Sequence, residues 1–209
     1  MEVLLHPTYF PNSLSMACLA QGPVRWEACD NYQKQTYRNR CYICNDRGRQ
    51  LLNIPIRHVG GSGGRQLFRE VRIDNGYNWQ RQHWRSLETA YRSAPFFEYY
   101  EADLQPLFER PFDHLLDLNL ATIGVLCDLL GIEFPEAVTE SFEESPATLR
   151  DGRFLVSAKA GPPMPMPHYP QVFEDRHGFI PDLSVLDLLF NEGTAASDYL
   201  QRLQLPWDA

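Results

Sequence analysis

The chain has 209 residues, 44% of them hydrophobic and 12% aromatic, which is enough apolar material to bury a core without disulfides or metal and excludes a disordered protein. Its net charge of −8 is unevenly placed: residues 1–93 hold 13 Lys and Arg against 7 Asp and Glu, and residues 94–209 hold 6 against 20. A basic first half joined to an acidic second half suits a small anionic partner and excludes an extended nucleic acid, which the acidic part would repel.

Glu2 to His6 reads as a short strand stopped by Pro7, and Ser13 to Ala20 as a helix ended by Gly22 and Pro23. Val24 to Ala28 reads as a second strand, so the chain opens with a candidate parallel βαβ unit whose helix is short for that crossover. Ligands gather at the carboxyl ends of strands in such units, which here are the polar stretches His6 to Asn12 and Glu27 to Arg40. Within the second, Tyr32 to Arg40 packs cations, amides and phenols together with hardly an apolar residue. Two readings stand: a segment facing phosphate or carboxylate, which guanidinium forks bind bidentately, or a solvated loop.

Arg40 to Cys44 and Gln50 to Ile56, joined by the turn Asn45 to Gly48, read as a β-hairpin. Cys41 and Cys44 form a CxxC, but an offset of three sends two strand side chains to opposite faces and no second pair follows, so we read structural cysteines and no metal site. Five cysteines, an odd number, together with no basic leader and no apolar run of about 18 residues, predict a cytoplasmic chain without an integral membrane segment. Gly60 to Gly64 lacks the Lys and Ser/Thr of a P-loop and reads as a flexible hairpin tip, and Phe68 to Asp74 as a further strand with imperfect alternation.

From Trp79 the period becomes helical, with Trp79, His83, Leu87, Ala90, Tyr91 and Ala94 on one face. Pro95 opens a further helix toward Arg110, and Asp113 to Gly131, apolar on nearly all sides, reads as a buried central helix. An acidic stretch to Ser145 and the proline-rich Ala160 to Pro167 read as linker. Pro181 and Asp182 introduce a helix from Leu183 to Phe190, Gly193 stops it, and Thr194 caps a last helix through Leu203. The expected fold is one α/β or α+β domain over 1–209, with a mixed β-sheet from the N-terminal half covered by helices mainly from the C-terminal half. Its parts are sheet-rich and basic (1–76), helical (77–132), irregular, acidic and Pro-rich (133–169), and helical again (170–209).

The opening Pro7-Thr8-Tyr9-Phe10-Pro11, the block Tyr32 to Cys41, the strand Leu52 to Ile56, the helix Trp79 to Trp84 continuing through Ala90 to Phe97, and the C-terminal Gln171 to Phe173 and Phe179 to Asn191 together resemble the WbqC-like family. The resemblance spans nearly the whole chain. It implies a place in O-antigen or other surface-polysaccharide assembly, for which glycine transfer has been proposed. His6 stands where the family commonly has Gln, and the family's Asn-Arg pair and helical His correspond to Asn39, Arg40 and His83.

The implied chemistry is transfer of a small acyl group such as glycyl to an amino sugar. Arg38, Arg40 and Lys34 would meet a nucleotide-linked sugar or a carboxylate, Tyr37 and Asn39 would orient hydroxyls, Tyr9, Tyr32 and Trp79 would stack on a sugar or base, and Glu27, His83 or His6 would take the proton. If ATP activates the acyl group, the turn from His6 to Ser13 would present helix amides to its phosphates. The resemblance leaves the cofactor undefined. The alternative is a non-catalytic sugar- or nucleotide-sugar-binding scaffold among other glycan-biosynthesis enzymes.

Overall fold

A computed structural model describes residues 1–57, 66–158 and 164–207. The glycine run Gly60 to Gly64 and the start of the proline-rich stretch lie outside the described residues. Strand β1 (Val3–Leu5), helix α1 (Ser13–Gln21) and strand β2 (Val24–Trp26) form a parallel βαβ unit with Val3 opposite Val24 and Leu5 opposite Trp26. The crossover can be short because the strands are: three residues rise about 10 Å and nine helical residues about 13 Å.

Strands β3 (Arg40–Asn45) and β4 (Gly48–Asn53) make the expected antiparallel hairpin, with Cys41 opposite Leu52. Gly48 closes the turn at φ 103°, a conformation that side-chain-bearing residues resist, and Asn45 Oδ1 accepts from the Arg47 amide at 2.8 Å. Cys41 is turned into the core, while Cys44 meets the Tyr91 hydroxyl through its amide and His177 Nε2 through its sulfur at 3.3 Å. Burial pushes the Cys44 thiol up to about 12 and the Cys41 thiol further. No group of three or more His, Cys, Asp or Glu able to hold a metal occurs among the described residues.

The strand expected over Phe68 to Asp74 is instead a 3-10 turn at Phe68–Glu70 followed by isolated bridges from Arg72 to His114 and from Ile73 to Ile56. Phe68 and Val71 are three apart, the repeat of a 3-10 turn, so both can be fully buried; a strand would have sent one of them outward. Helix α2 (Trp79–Tyr91) buries the face read from its spacing. The helix expected from Pro95 to Arg110 is divided into α3 (Phe97–Leu104) and α4 (Pro106–Glu109), because Pro106 has no amide hydrogen to continue the ladder and serves as a first-turn residue.

Helix α5 (Leu115–Leu130) ends at Gly131, left-handed at φ 65°. It is not buried all round: Leu116, Leu120, Val125 and Leu129 are only partly covered. Residues 137–139 then run beside β2, with Trp26 N donating to Ala137 O at 2.8 Å and Thr139 N to Trp26 O at 2.9 Å. Strand β5 (Arg150–Asp151) joins β1 on the other side, giving the parallel order β2-β1-β5.

After the short α6 (Glu174–His177), α7 (Val185–Glu192) starts at Ser184, whose hydroxyl caps Leu186 N, and α8 (Ala195–Arg202) returns against α1, whose Gln21 side chain donates to Leu200 O and Leu203 O. Thr194 precedes α8 without a side-chain cap bond. Gly193 between them is at φ 58°, and a Cβ there would stand 2.6 Å from the Phe96 ring. The architecture is therefore α/β to α+β, its β structure divided between a parallel sheet and the hairpin. No helix among the described residues is long and apolar enough to cross a membrane.

Candidate functional site

The carboxyl ends of β1, β2 and β5 gather charged side chains. His6 follows β1, Glu27 follows β2, and Arg153 opens the 3-10 turn after β5. Between them reaches Arg38, from the 3-10 turn Tyr37–Asn39 that precedes β3. Its guanidinium is 0% exposed; Nη2 donates to Asp30 Oδ2 at 2.9 Å and contacts His6 Nε2 at 2.8 Å, while Nε and Nη1 are buried without a hydrogen-bond partner. The Phe68 ring lies 5.3 Å from its central carbon. The turn carrying Arg38 is fixed by Asn119 of α5, whose amide donates to Arg38 O at 2.8 Å and Pro7 O at 3.0 Å, tying the β1 loop to the Arg38 loop.

Burial and the Arg38 charge hold the His6 imidazole well below its ordinary value, so it is neutral at pH 7 and its lone pair faces a guanidinium. Glu27 is also fully buried. Its Oε1 accepts from Cys29 N at 2.7 Å and Thr139 Oγ1 at 3.0 Å, and Oε2 has no hydrogen-bond partner. The nearest cation to that oxygen is Arg153 Nη1 at 3.6 Å. Arg153 is otherwise engaged with Asp151 at 2.9 and 2.7 Å and with the carbonyls of Glu143 and Glu144. The strand ends thus hold a buried carboxyl oxygen and guanidinium nitrogens with unused bonding capacity.

Next to the turn that carries Arg38 opens a cavity of about 510 Å³, lined by Tyr32, Lys34, Asn39 and Arg40, which sequence singled out, and by Arg57, Asp74 and Tyr77, which it did not. Glu27 lines a different cavity, of about 400 Å³, with Leu4, Arg25 and Thr139. Tyr32 links the larger cavity to Arg38: burial raises its hydroxyl's pKa, and the charges of Arg40 and Arg38 oppose that rise. Asn39 bridges to Asn53 Oδ1 and Ile54 O, which fixes its amide and leaves its own Oδ1 buried and unpartnered.

The remaining residues singled out in the sequence lie elsewhere. Tyr9 is 1% exposed and Trp79 2%, packed edge to face with each other and both against the His83 ring, so neither offers an open ring to a sugar. His83 contacts the Tyr9 hydroxyl through Nδ1 at 3.0 Å, and no described contact joins it to His6, Asp30 or Arg38. Tyr37 is buried, its hydroxyl accepting from Arg49 at 3.2 Å. The α1 N-terminus is closed to phosphate: Asp182 accepts from Leu14 N at 3.1 Å and Asn12 caps Ser15 N at 3.2 Å. Asp30 and Arg153 were missed. Asp30 carried a signal, a charge at a strand's carboxyl end beside the donor cluster, but Arg153 follows a strand that sequence did not reveal.

Burial holds His83 at about 4 instead of 6.5. Between those values an unfolded chain binds a proton that the folded chain refuses, so the stability from neutral His83 is complete above pH 6.5 and is lost as pH falls toward 4, about 3 kcal/mol in all. Asp182, raised to about 6 from 3.8, runs oppositely: its contribution is full below 3.8 and is lost as pH rises through 6. Urea denaturation of wild type and His83→Gln at pH 7 and pH 4.5 isolates the first effect. The gap between the two proteins should shrink at the lower pH, and a constant gap would contradict it.

A model of the WbqC-like protein family matches residues 26–158, which include Glu27, Asp30, Arg38 and Arg153 together with the described residues that line the cavity. The uncharacterized protein Rv1507c of Mycobacterium tuberculosis is 30% identical over 196 residues, covering 81% of this chain and 84% of its own. No solved structure matches.

Proposed function

The chain belongs to the WbqC-like protein family, and from that membership we propose that it is an enzyme of surface-polysaccharide assembly that transfers glycine or another small acyl group to an amino sugar. The anionic part of the substrate, as in a nucleotide-linked sugar, lies in the cavity of Tyr32, Lys34, Asn39 and Arg40. Arg38, held by Asp30 and His6, anchors the turn from which Asn39 and Arg40 reach this cavity. Glu27 accepts the proton as the amine attacks the acyl carbon, a new carbon–nitrogen bond forms and the leaving group departs. His6, its lone pair already facing Arg38, positions rather than takes protons.

The observation that supports this reading most is Oε2 of fully buried Glu27, which lacks a hydrogen-bond partner and stands 3.6 Å from Arg153 Nη1, at the end of a parallel strand. Glu27→Gln keeps the shape and the Thr139 contact. It is expected to lower turnover by about 10² to 10⁴ with little change in binding of the anionic substrate. Turnover would be read by mass spectrometry of nucleotide-linked amino sugars incubated with glycine with and without ATP, after a thermal-shift screen has chosen the sugar. Undiminished turnover in Glu27→Gln removes Glu27 as the base. The scaffold reading draws on a different observation, the complete burial of Arg38, which suits a structural network. It predicts a thermal shift with a sugar ligand and no product at all.

A further inference from the structure

We propose that the cavity of about 510 Å³ is a nucleoside-phosphate site, in which Tyr32 and Tyr77 take the base, Asp74 the ribose, and Arg40, Arg57 and Lys34 the phosphate. This deepens the reading above and rests on an anionic substrate occupying that cavity. The volume falls within the range of small-molecule pockets. Three cations against one carboxylate give its lining a positive balance suited to phosphate, and two of them are guanidiniums that can bind it bidentately.

The aromatic members are placed for contact with a ligand. Tyr77 is 64% exposed, so its ring contributes nothing to the core, yet its position is defined by a turn in which Asp74 Oδ1 accepts from Gly76 N at 3.1 Å and Asp74 O faces Tyr77 N at 3.4 Å. The neighbouring Asn75 amide pins that turn to Phe112 O at 2.9 Å. The wall is continued by Asp74 N donating to Pro55 O and Arg57 N to Arg72 O, each at 2.9 Å. Among the other lining residues, the buried Asn39 keeps an unpartnered Oδ1, and Arg40 an unpartnered buried Nε. A phenol ring offers a flat face that any base can stack on, and the exposed ring of Tyr77 adds such a face to that of the half-buried Tyr32. Asp74 has a second carboxyl oxygen to accept from ribose hydroxyls, as Gly76 engages only Oδ1.

Isothermal calorimetry at low salt with uridine 5′-monophosphate, adenosine 5′-monophosphate, ribose 5-phosphate and inorganic phosphate tests this. At least one nucleotide should bind ten times or more tighter than ribose 5-phosphate. Tyr77→Ala, an exposed change that spares the core, should abolish that difference while leaving ribose 5-phosphate affinity in place, and Arg40→Ala should weaken every phosphate ligand. Nucleotide and ribose 5-phosphate binding alike, no binding by either nucleotide, or a preference that survives Tyr77→Ala would each overturn the nucleoside assignment. If ribose 5-phosphate binds as well as the nucleotides and Arg40→Ala weakens both, the anionic substrate site stands without its nucleoside. If Arg40→Ala changes nothing, both assignments fall.

Discussion

Asp187→Ala is expected to destabilise the protein by about 4 kcal/mol and lower its melting temperature by on the order of 10 °C. Asp187 lies on α7, fully buried, and three side-chain donors end on it. Tyr91 of α2 reaches Oδ1 at 2.8 Å, while Tyr169 and Gln171 reach Oδ2 at 2.7 and 2.8 Å. Burial alone raises its carboxyl's pKa, and those donors pull it back. Removing the carboxylate takes the acceptor from two buried phenol hydroxyls and one acceptor from the Gln171 amide, which also donates to Ile180 O, each unsatisfied donor costing about 1–3 kcal/mol if no water replaces it. Asparagine does not rescue the site. Its single carbonyl oxygen can replace Oδ1, serving Tyr91, or Oδ2, serving Tyr169 and Gln171, but not both, so donors on the other side face an amide NH₂. Asp187→Asn should therefore lose at least half of what Asp187→Ala loses. Urea denaturation with an unchanged m-value reads the loss. Because Tyr169 and Gln171 are among the residues that fasten the irregular stretch before α6, limited proteolysis should cut within 164–182 in the variant first. A loss below about 1 kcal/mol would mean that water satisfies the site and the network is dispensable.

The parts legible in the sequence are those set by local chemistry. Pro7, Gly22 and Pro23 bracketed α1, Gly48 closed the hairpin, and the spacing from Trp79 to Tyr91 marked the buried face of α2. Long-range pairing was not legible. Arg150 and Asp151 have no apolar or β-branched character, and their pairing with β1 was decided by the edge of that strand. The same holds for the site. The polar ends of β1 and β2 could be named because strand ends carry ligands in parallel units, yet the split of the Tyr32 to Arg40 segment into buried and open halves depended on contacts far away in the chain. Tyr37, Arg38 and Asn39 turn inward because Asn119, Asp30 and the hairpin end receive them, while Lys34 and Gln35 remain outside. A run of donors with hardly an apolar residue thus became partly core, since a buried cation needs only a carboxylate and hydrogen-bond partners to be tolerated.

That tolerance has a measurable edge at Arg38. Arg38→Met preserves most of the side-chain volume over Phe68 but removes the charge, leaving Asp30 and His6 facing each other at 3.4 Å. Breaking one side of a buried pair costs about 3–5 kcal/mol, far more than the pair itself is worth against an apolar replacement. Arg38→Met alone should therefore be strongly destabilised, and adding Asp30→Asn should recover part of the loss, giving a coupling that a double-mutant cycle reads. His6 supplies the independent readout. In the wild type, burial and then the Arg38 charge hold its imidazole well below the ordinary range. Without Arg38 one of those two causes disappears and the Asp30 carboxylate remains beside the ring, so the pH at which His6 protonates must move up. Imidazole NMR shifts of wild type and Arg38→Met would follow it. An unmoved His6 titration would show that burial alone sets its protonation state, and that Arg38 supports the strand ends by packing rather than by charge.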